Sequence, residues 1–210
     1  MKTLIVTGGT GGLGPTVVER LSGDYQCILL SRHASEHTLQ ADLGDEVSVR
    51  NALGQAVERF GAPYGLVHMA GGYGGGHVSE TSLETWQDMI GLNLTSSFIA
   101  VRETLARMRR DAPGRIVAIS SEATLGKLAG AAAYTISKTG LNTLIELTAA
   151  ELRGTQITAN ALLPTTLDTD ASRKAMPNAK RVPLDQVADA IAFLLSDRGA
   201  NISGALIPMR

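Results

Sequence analysis

Seven short runs of apolar, β-branched-rich residues recur along the chain with helical patterns between them, and this alternation constrains the fold more than any other feature. The runs fall at residues 3–7, 27–31, 38–43, 65–70, 115–121, 157–163 and 205–209. Within them apolar residues follow one another almost without interruption, the pattern of parallel strands covered on both faces. Helical periodicity occupies residues 12–21, 47–60, 83–108, 133–153 and 184–195. The expectation is an α/β fold: a doubly wound parallel sheet of about seven strands, with helices on both faces and right-handed crossovers. Residues 32–37 are too few for an ordinary helix, so one crossover helix is expected to be missing there. No linker or repeat interrupts the 210 residues, and residues 1–210 read as a single domain.

Charge and cysteine content narrow the function. Nineteen basic and twenty acidic residues give a net charge of −1, which offers nothing to nucleic acid. Cys27 is the only cysteine, so neither a disulfide framework nor a cysteine metal site is expected, and a reducing, cytoplasmic setting fits. His33, His37, His68 and His77 lack metal-ligand spacing, and no metal is expected. No apolar run approaches the ~20 residues of a membrane helix, and Gly8 and Gly9 follow the first apolar residues too closely for a signal peptide. No membrane partner is expected.

The 23 glycines cluster at residues 8–14 and 71–76. The first cluster, Thr7-Gly8-Gly9-Thr10-Gly11-Gly12-Leu13-Gly14, lies between a strand and a helix. Glycines there let backbone N–H groups approach a phosphate at a helix N-terminus. A P-loop would require Lys-Ser or Lys-Thr after the loop, but Gly14 is followed by Pro15-Thr16. A ligand-free tight turn is the bland alternative; the strand-before, helix-after context favours a dinucleotide. An NAD site usually carries an acid at the end of the second strand. Here Ser31 and Arg32 stand there, with no acid until Glu36. Arg32 can pair with a 2′-phosphate, so NADP(H) is favoured and NAD(H) is the alternative.

Ser121 ends the fifth strand, and Tyr134 and Lys138 stand at i and i+4 of the following helix. A phenol titrates near ~10, and a neighbouring ammonium would lower that value. A strand-end serine could hydrogen-bond a reacting oxygen. With these residues in place, the chain resembles the short-chain dehydrogenase/reductase family over essentially its full length. The matching elements are Thr7-Gly8-x-x-x-Gly12-x-Gly14, Asp42-Leu43, Ala70-Gly71, Asn93, Ser121, Tyr134-x-x-x-Lys138, Asn160-Ala161 and Pro164.

The resemblance implies Tyr134 as general acid, Lys138 as the group that lowers its pKa and holds the nicotinamide ribose, and Ser121 as the residue orienting the substrate oxygen. It implies a relay water at Asn93, adenine at Asp42 and Leu43, adenine ribose at Ala70 and Gly71, and the nicotinamide carboxamide near Pro164, Leu167 and Thr169. Gly8, Thr10, Gly12, Leu13 and Gly14 complete the cofactor set. It further implies a homodimer or homotetramer associating through the helices at 83–108 and 133–153.

The chain departs from the family pattern in three places. His68-Met69 replaces Asn-Asn, which predicts no asparagine buttress at the sheet centre; Pro164-Thr165 replaces Pro-Gly; and the 165–184 segment leaves room only for a short substrate lid over an open site. The stretches 70–76, 163–169, 173–177 and 203–207 are similar to the dihydropteridine reductases in particular. Those enzymes lack the serine and carry an acid where this chain has Arg32.

The function expected from this set is NADP(H)-dependent reduction of a small-molecule carbonyl, or oxidation of the matching alcohol. Reduction of a quinonoid pterin is the alternative enzyme, and a non-catalytic dinucleotide sensor is the alternative of another class. Trp86 is read as packing, Tyr73 as a flank of the substrate pocket or a solvent-facing loop residue, and the arginine-rich run 102–110 as a solvated helix end.

Overall fold

The computed structural model describes residues 1–33 and 38–210. Seven strands form one parallel sheet: β1 (Lys2–Thr7), β2 (Tyr25–Ser31), β3 (Thr38–Gln40), β4 (Gly65–His68), β5 (Gly114–Ile119), β6 (Ile157–Pro164) and β9 (Leu206–Met209). Their order is β3-β2-β1-β4-β5-β6-β9, a doubly wound Rossmann fold in a single domain. The reading that no crossover helix joins β2 to β3 falls partly on residues 34–37, with Glu36 and His37, outside the described residues.

Successive side chains of a strand point to opposite faces, and each face here carries its own core. Ile5, Leu66, Ile116, Ala118 and Ala161 pack against α2 (Glu46–Phe60), α4 (Ser96–Leu105) and α6 (Ala132–Glu151). Leu4, Val6, Val67, Val117 and Leu162 pack against α1 (Gly14–Leu21) and α8 (Leu184–Leu195). β4, β5 and β6 are buried along their entire lengths, which explains their unbroken apolar sequence.

Four expectations change. The segment at 83–108 is not one helix: α3 (Leu83–Ile90) passes through a π-helical turn, Gly91–Thr95, into α4. Strand three ends at Gln40 rather than at residue 43, because Asp42 turns the chain by accepting a hydrogen bond from Gly44 N at 2.9 Å. The arginine run is not merely solvated. Glu103 is buried and takes ion pairs from Arg50, Arg102 and Arg107 at 3.6, 2.9 and 2.9 Å. Trp86 is not core packing: it is 37% exposed on α3, beside Val78, Leu83 and Ile136 of α6 in a shallow surface depression.

The 165–184 segment carries structure that periodicity does not reveal. β7 (Thr166–Leu167) pairs in parallel with β8 (Arg181–Val182), and α7 (Asp170–Ala175) lies between them. Thr169 and Ser172 close a reciprocal capping box at the start of α7. A four-residue α5 (Ala123–Gly126) precedes α6.

Candidate active site

A groove runs along the carboxyl ends of the central strands, where the strand order reverses about β1 and β4. This is where open α/β sheets bind ligands. Its two lobes are about 690 and 580 Å³. The larger is lined by Gly8, Thr10, Ser31, Arg32, Asp42, Leu43, Ala70 and Gly71, so the adenosine-side residues read from the sequence converge on one wall. The smaller joins Gly8, Gly12, Leu13, Ala70 and Gly71 to Leu167 and Thr169.

The glycine loop holds its shape by close approach. Gly8 has φ +72°, and a Cβ on it would meet Ala70 N at 2.6 Å, so strand one and strand four touch backbone to backbone. Gly14 serves a different purpose from that expected: a Cβ there would lie 2.2 Å from Gly9 O, and Gly14 is buried where the loop folds on itself. Leu13 is 6% exposed and belongs mostly to the core, and Pro164 is buried within β6, its carbonyl accepting from Glu122 N.

The start of α1 has no side-chain cap and no acid in its first turn. By contrast, α2 is capped by Asp45 and begins with Glu46, and α3 is capped by Ser82 and followed by Glu84. Uncapped N–H groups behind a glycine cradle fit the phosphates of a nicotinamide dinucleotide. Asp42 is therefore a turn residue on the groove wall and not the cap of α2.

Ser121, Tyr134 and Lys138 come together beyond the carboxyl end of β5. The Ser121 side chain lies close to the Tyr134 phenol and favours its ionised form. Burial pushes the phenol above the ordinary value, the neighbouring Ser121 opposes this, and Tyr73 adds to the rise. Lys138 is 5% exposed, donates to Ile119 O at 2.9 Å, and is brought down by burial to about 8. Depression of the phenol by the ammonium, which the i,i+4 spacing predicts, is not realised in this conformation: the lysine is tied to the backbone of β5. Its Nζ lies next to the groove, since a Cβ on Gly71 would meet it at 3.1 Å.

Asn93 sits wholly buried in the π-helical turn. Its Oδ1 accepts from Gly72 N at 2.9 Å, and its Nδ2 donates to Gly72 O at 3.0 Å and Ser137 Oγ at 3.1 Å. Ser137 Oγ in turn donates to Tyr134 O at 2.8 Å. Asn93 thus couples the second glycine stretch to the helix bearing Tyr134 and Lys138.

Two contributions lay beyond sequence reasoning. His68 does supply a centre-of-sheet buttress: Nδ1 lies 2.8 Å from Thr7 Oγ1 on β1 and Nε2 lies 2.8 Å from Ser97 Oγ on α4. Ser97 Oγ also donates to Asn93 O at 2.6 Å, which uses its one proton. His68 therefore carries its proton on Nε2 and accepts the Thr7 hydroxyl at Nδ1, a tautomer assigned by the network. The signal was the substitution itself, a polar residue in an otherwise apolar strand. Tyr73 stacks edge-on against Tyr134 with ring centroids 5.0 Å apart, although it is 65% exposed. Its loop is pinned to the start of α6 by Gly76 N to Gly130 O and Ala132 N to Gly76 O.

Comparison with known proteins places this geometry in context. The family model described as short chain dehydrogenase matches residues 2–180. The chain is 28% identical over 225 residues to the 3-oxoacyl-[acyl-carrier-protein] reductase MabA of Mycobacterium tuberculosis, covering 99% of this chain and 91% of that one. It is 30% identical over 241 residues to the 2-(R)-hydroxypropyl-CoM dehydrogenase of Xanthobacter autotrophicus, covering 99% and 96%. The solved structure of a short-chain dehydrogenase/reductase from Serratia marcescens superposes with a TM-score of 0.87 at 26% identity, covering 99% and 96%.

Proposed function

The chain belongs to the short-chain dehydrogenase family of oxidoreductases, and from that premise we propose that it reduces a small-molecule carbonyl, or oxidises the matching alcohol, with NADP(H) and with Tyr134 as general acid/base. The observation that carries the reading is the meeting of Ser121, Tyr134 and the buried Lys138 beside a glycine-lined groove. When bound, the nicotinamide supplies the hydride; the protein positions the reacting oxygen and moves the proton. Ser121 holds the substrate oxygen and Tyr134 gives its phenolic proton to it. A phenol pushed up by burial starts protonated at neutral pH, which suits the reduction direction. Lys138, buried under Gly71, holds the ribose hydroxyls, and Asn93 steadies the helix beneath both residues.

Arg32 supports the choice of NADP(H): it lines the adenosine lobe, exposed, with no ion pair among the described residues. The 165–184 segment acts as a short substrate lid. The exposed Leu83, Trp86, Phe98, Ile136 and Leu147 on α3, α4 and α6 support a homodimer or homotetramer, which light scattering would test. No helix among the described residues is long and apolar enough to cross a membrane; the lone Cys27 supports a cytoplasmic setting.

A second reading, reduction of a quinonoid pterin, is favoured by one feature: an aromatic residue within the 71–76 glycine stretch lies against Tyr134. One assay decides between them. NADPH and NADH oxidation is followed with quinonoid dihydropterin, 3-ketoacyl thioesters, diketones, aromatic aldehydes and quinones. Ketone turnover with NADPH preferred supports the first reading, and selective pterin use, particularly with NADH, replaces it. The Tyr134→Phe variant should lose about 10²-fold or more in turnover while still binding cofactor; normal turnover would sink the mechanism, and a role that persists without turnover would indicate a sensor.

A further inference from the structure

We propose that Arg173 is the cation that meets the cofactor's diphosphate, so that the 165–184 segment builds part of the cofactor site as well as covering substrate. This rests on the reading of the groove as a dinucleotide site. The glycine loop provides N–H groups but no cation of its own. From Thr7 to Leu21 the only charged side chains are Glu19 and Arg20, and Arg20 is paired with Asp189 of α8 at 2.6 Å. Arg173 is the one cation that lines the 580 Å³ lobe among the described residues.

The same lobe presents Asp168 and Asp170, two carboxylates facing the place where a doubly negative diphosphate would lie. The two sides are in contact: a Cβ on Gly12 would meet Thr169 Cγ2 at 2.8 Å. Without a compensating charge, the carboxylates would oppose phosphate binding. Arg173 is held in place by a two-pronged grip on Asp168, from Nε and Nη2 at 2.8 and 2.9 Å, with Nη1 3.5 Å from Asp170. Arg181 also approaches Asp168, at 3.9 Å, so that carboxylate is shared between two guanidinium groups. The side chain of Arg173 remains 56% exposed, which leaves its outer N–H groups available to an anion. Two arginines thereby divide the cofactor: Arg32 serves the 2′ position and distinguishes NADP(H) from NAD(H), while Arg173 serves a group common to both.

Calorimetric titration of NADP⁺ and NAD⁺ into the full chain, across a range of salt concentrations, tests this without reference to turnover. Arg173→Ala should raise the Kd of both dinucleotides by about tenfold or more and flatten the salt dependence. Arg173→Lys should recover part of the affinity. Adenosine 2′-monophosphate, which has no diphosphate, should keep its wild-type affinity in Arg173→Ala, an outcome that unfolding of the chain would not give; recovery in Arg173→Lys separates loss of the charge from collapse of the segment. Unchanged Kd values for both dinucleotides, or a loss confined to NADP⁺, would overturn the assignment while leaving the dinucleotide site intact. A wild-type chain that binds neither dinucleotide would remove the site and the assignment together.

Discussion

His68 and Lys138 are two buried basic side chains in the same part of the sheet, and the protein treats them in opposite ways. His68 has both ring nitrogens at 2.8 Å from hydroxyls supplied by β1 and α4. Burial first, and the nearby Lys138 charge second, bring it down to about 3. It is neutral and fully satisfied, so it acts as a cross-brace. Lys138 has three N–H donors and, among the described residues, one protein acceptor, Ile119 O. Burial brings it down only to about 8, so near neutrality it stays charged. A satisfied polar group specifies structure; an under-satisfied one next to a groove is kept for a ligand, at some expense to the free protein.

The comparison breaks most sharply at His68. Replacing it by Leu would strand the Thr7 hydroxyl, which is fully buried, and remove the tie to Ser97. Urea unfolding should show a loss of about 2–4 kcal/mol. His68→Asn, which keeps donor and acceptor, should lose much less; equal losses would mean that ring packing and not hydrogen bonding is the brace. Lys138→Met should act in the other direction. A lysine lowered from 10.5 to about 8 by burial costs the cofactor-free fold about 3 kcal/mol below pH 8. Losing the Ile119 bond offsets part of this, so a net gain of about 1–2 kcal/mol is expected at pH 7, with turnover abolished.

The pH dependence sharpens the same contrast. Between pH 8 and 10.5 the unfolded lysine binds a proton that the folded one has lost, so Lys138 makes stability rise with pH across that window. Between pH 6.5 and about 3 the unfolded His68 is protonated and the folded one is not, so stability falls as the solution is acidified. Denaturant midpoints across both windows would check this: the His68 variants should remove only the acid slope, whereas Lys138→Met should remove the alkaline slope and, by taking away a charge that lowers His68, narrow the acid one. The smallest effect belongs to Tyr73. Removing its ring in Tyr73→Ala exposes Tyr134 and takes away a raising influence, so ultraviolet titration should place the Tyr134 phenol slightly lower. An unchanged phenol would mean that deeper burial alone sets its value.

The sheet was legible because both of its faces are covered: strands such as Gly114–Ile119 and Ile157–Pro164 are written as unbroken apolar runs. The break at Gly91–Thr95 was not, because a π-helical turn changes the register of one turn without interrupting apolar periodicity, and its purpose is a single buried side chain, Asn93. Strands of two residues, β7 and β8, are too short to leave a pattern. At the site, the strand-end position of Ser121 and the i,i+4 spacing of Tyr134 and Lys138 could be read directly. What Lys138 actually touches could not, since Ile119 lies 19 residues away. Nor could the joining of Thr7, His68, Ser97 and Asn93, which depends on four separate elements converging in three dimensions.

Trp86 carries a further consequence. It is the chain's single tryptophan, half-uncovered on α3 and opposite Ile136 on α6. All indole emission from this protein therefore originates at one surface locus, away from the core and on the helices that carry the exposed apolar side chains. Its colour reports the polarity at that point alone: red-shifted while water reaches the ring, and blue-shifted once an apolar surface excludes it. The molecule carries its own optical gauge of whether that helical face is bare or covered.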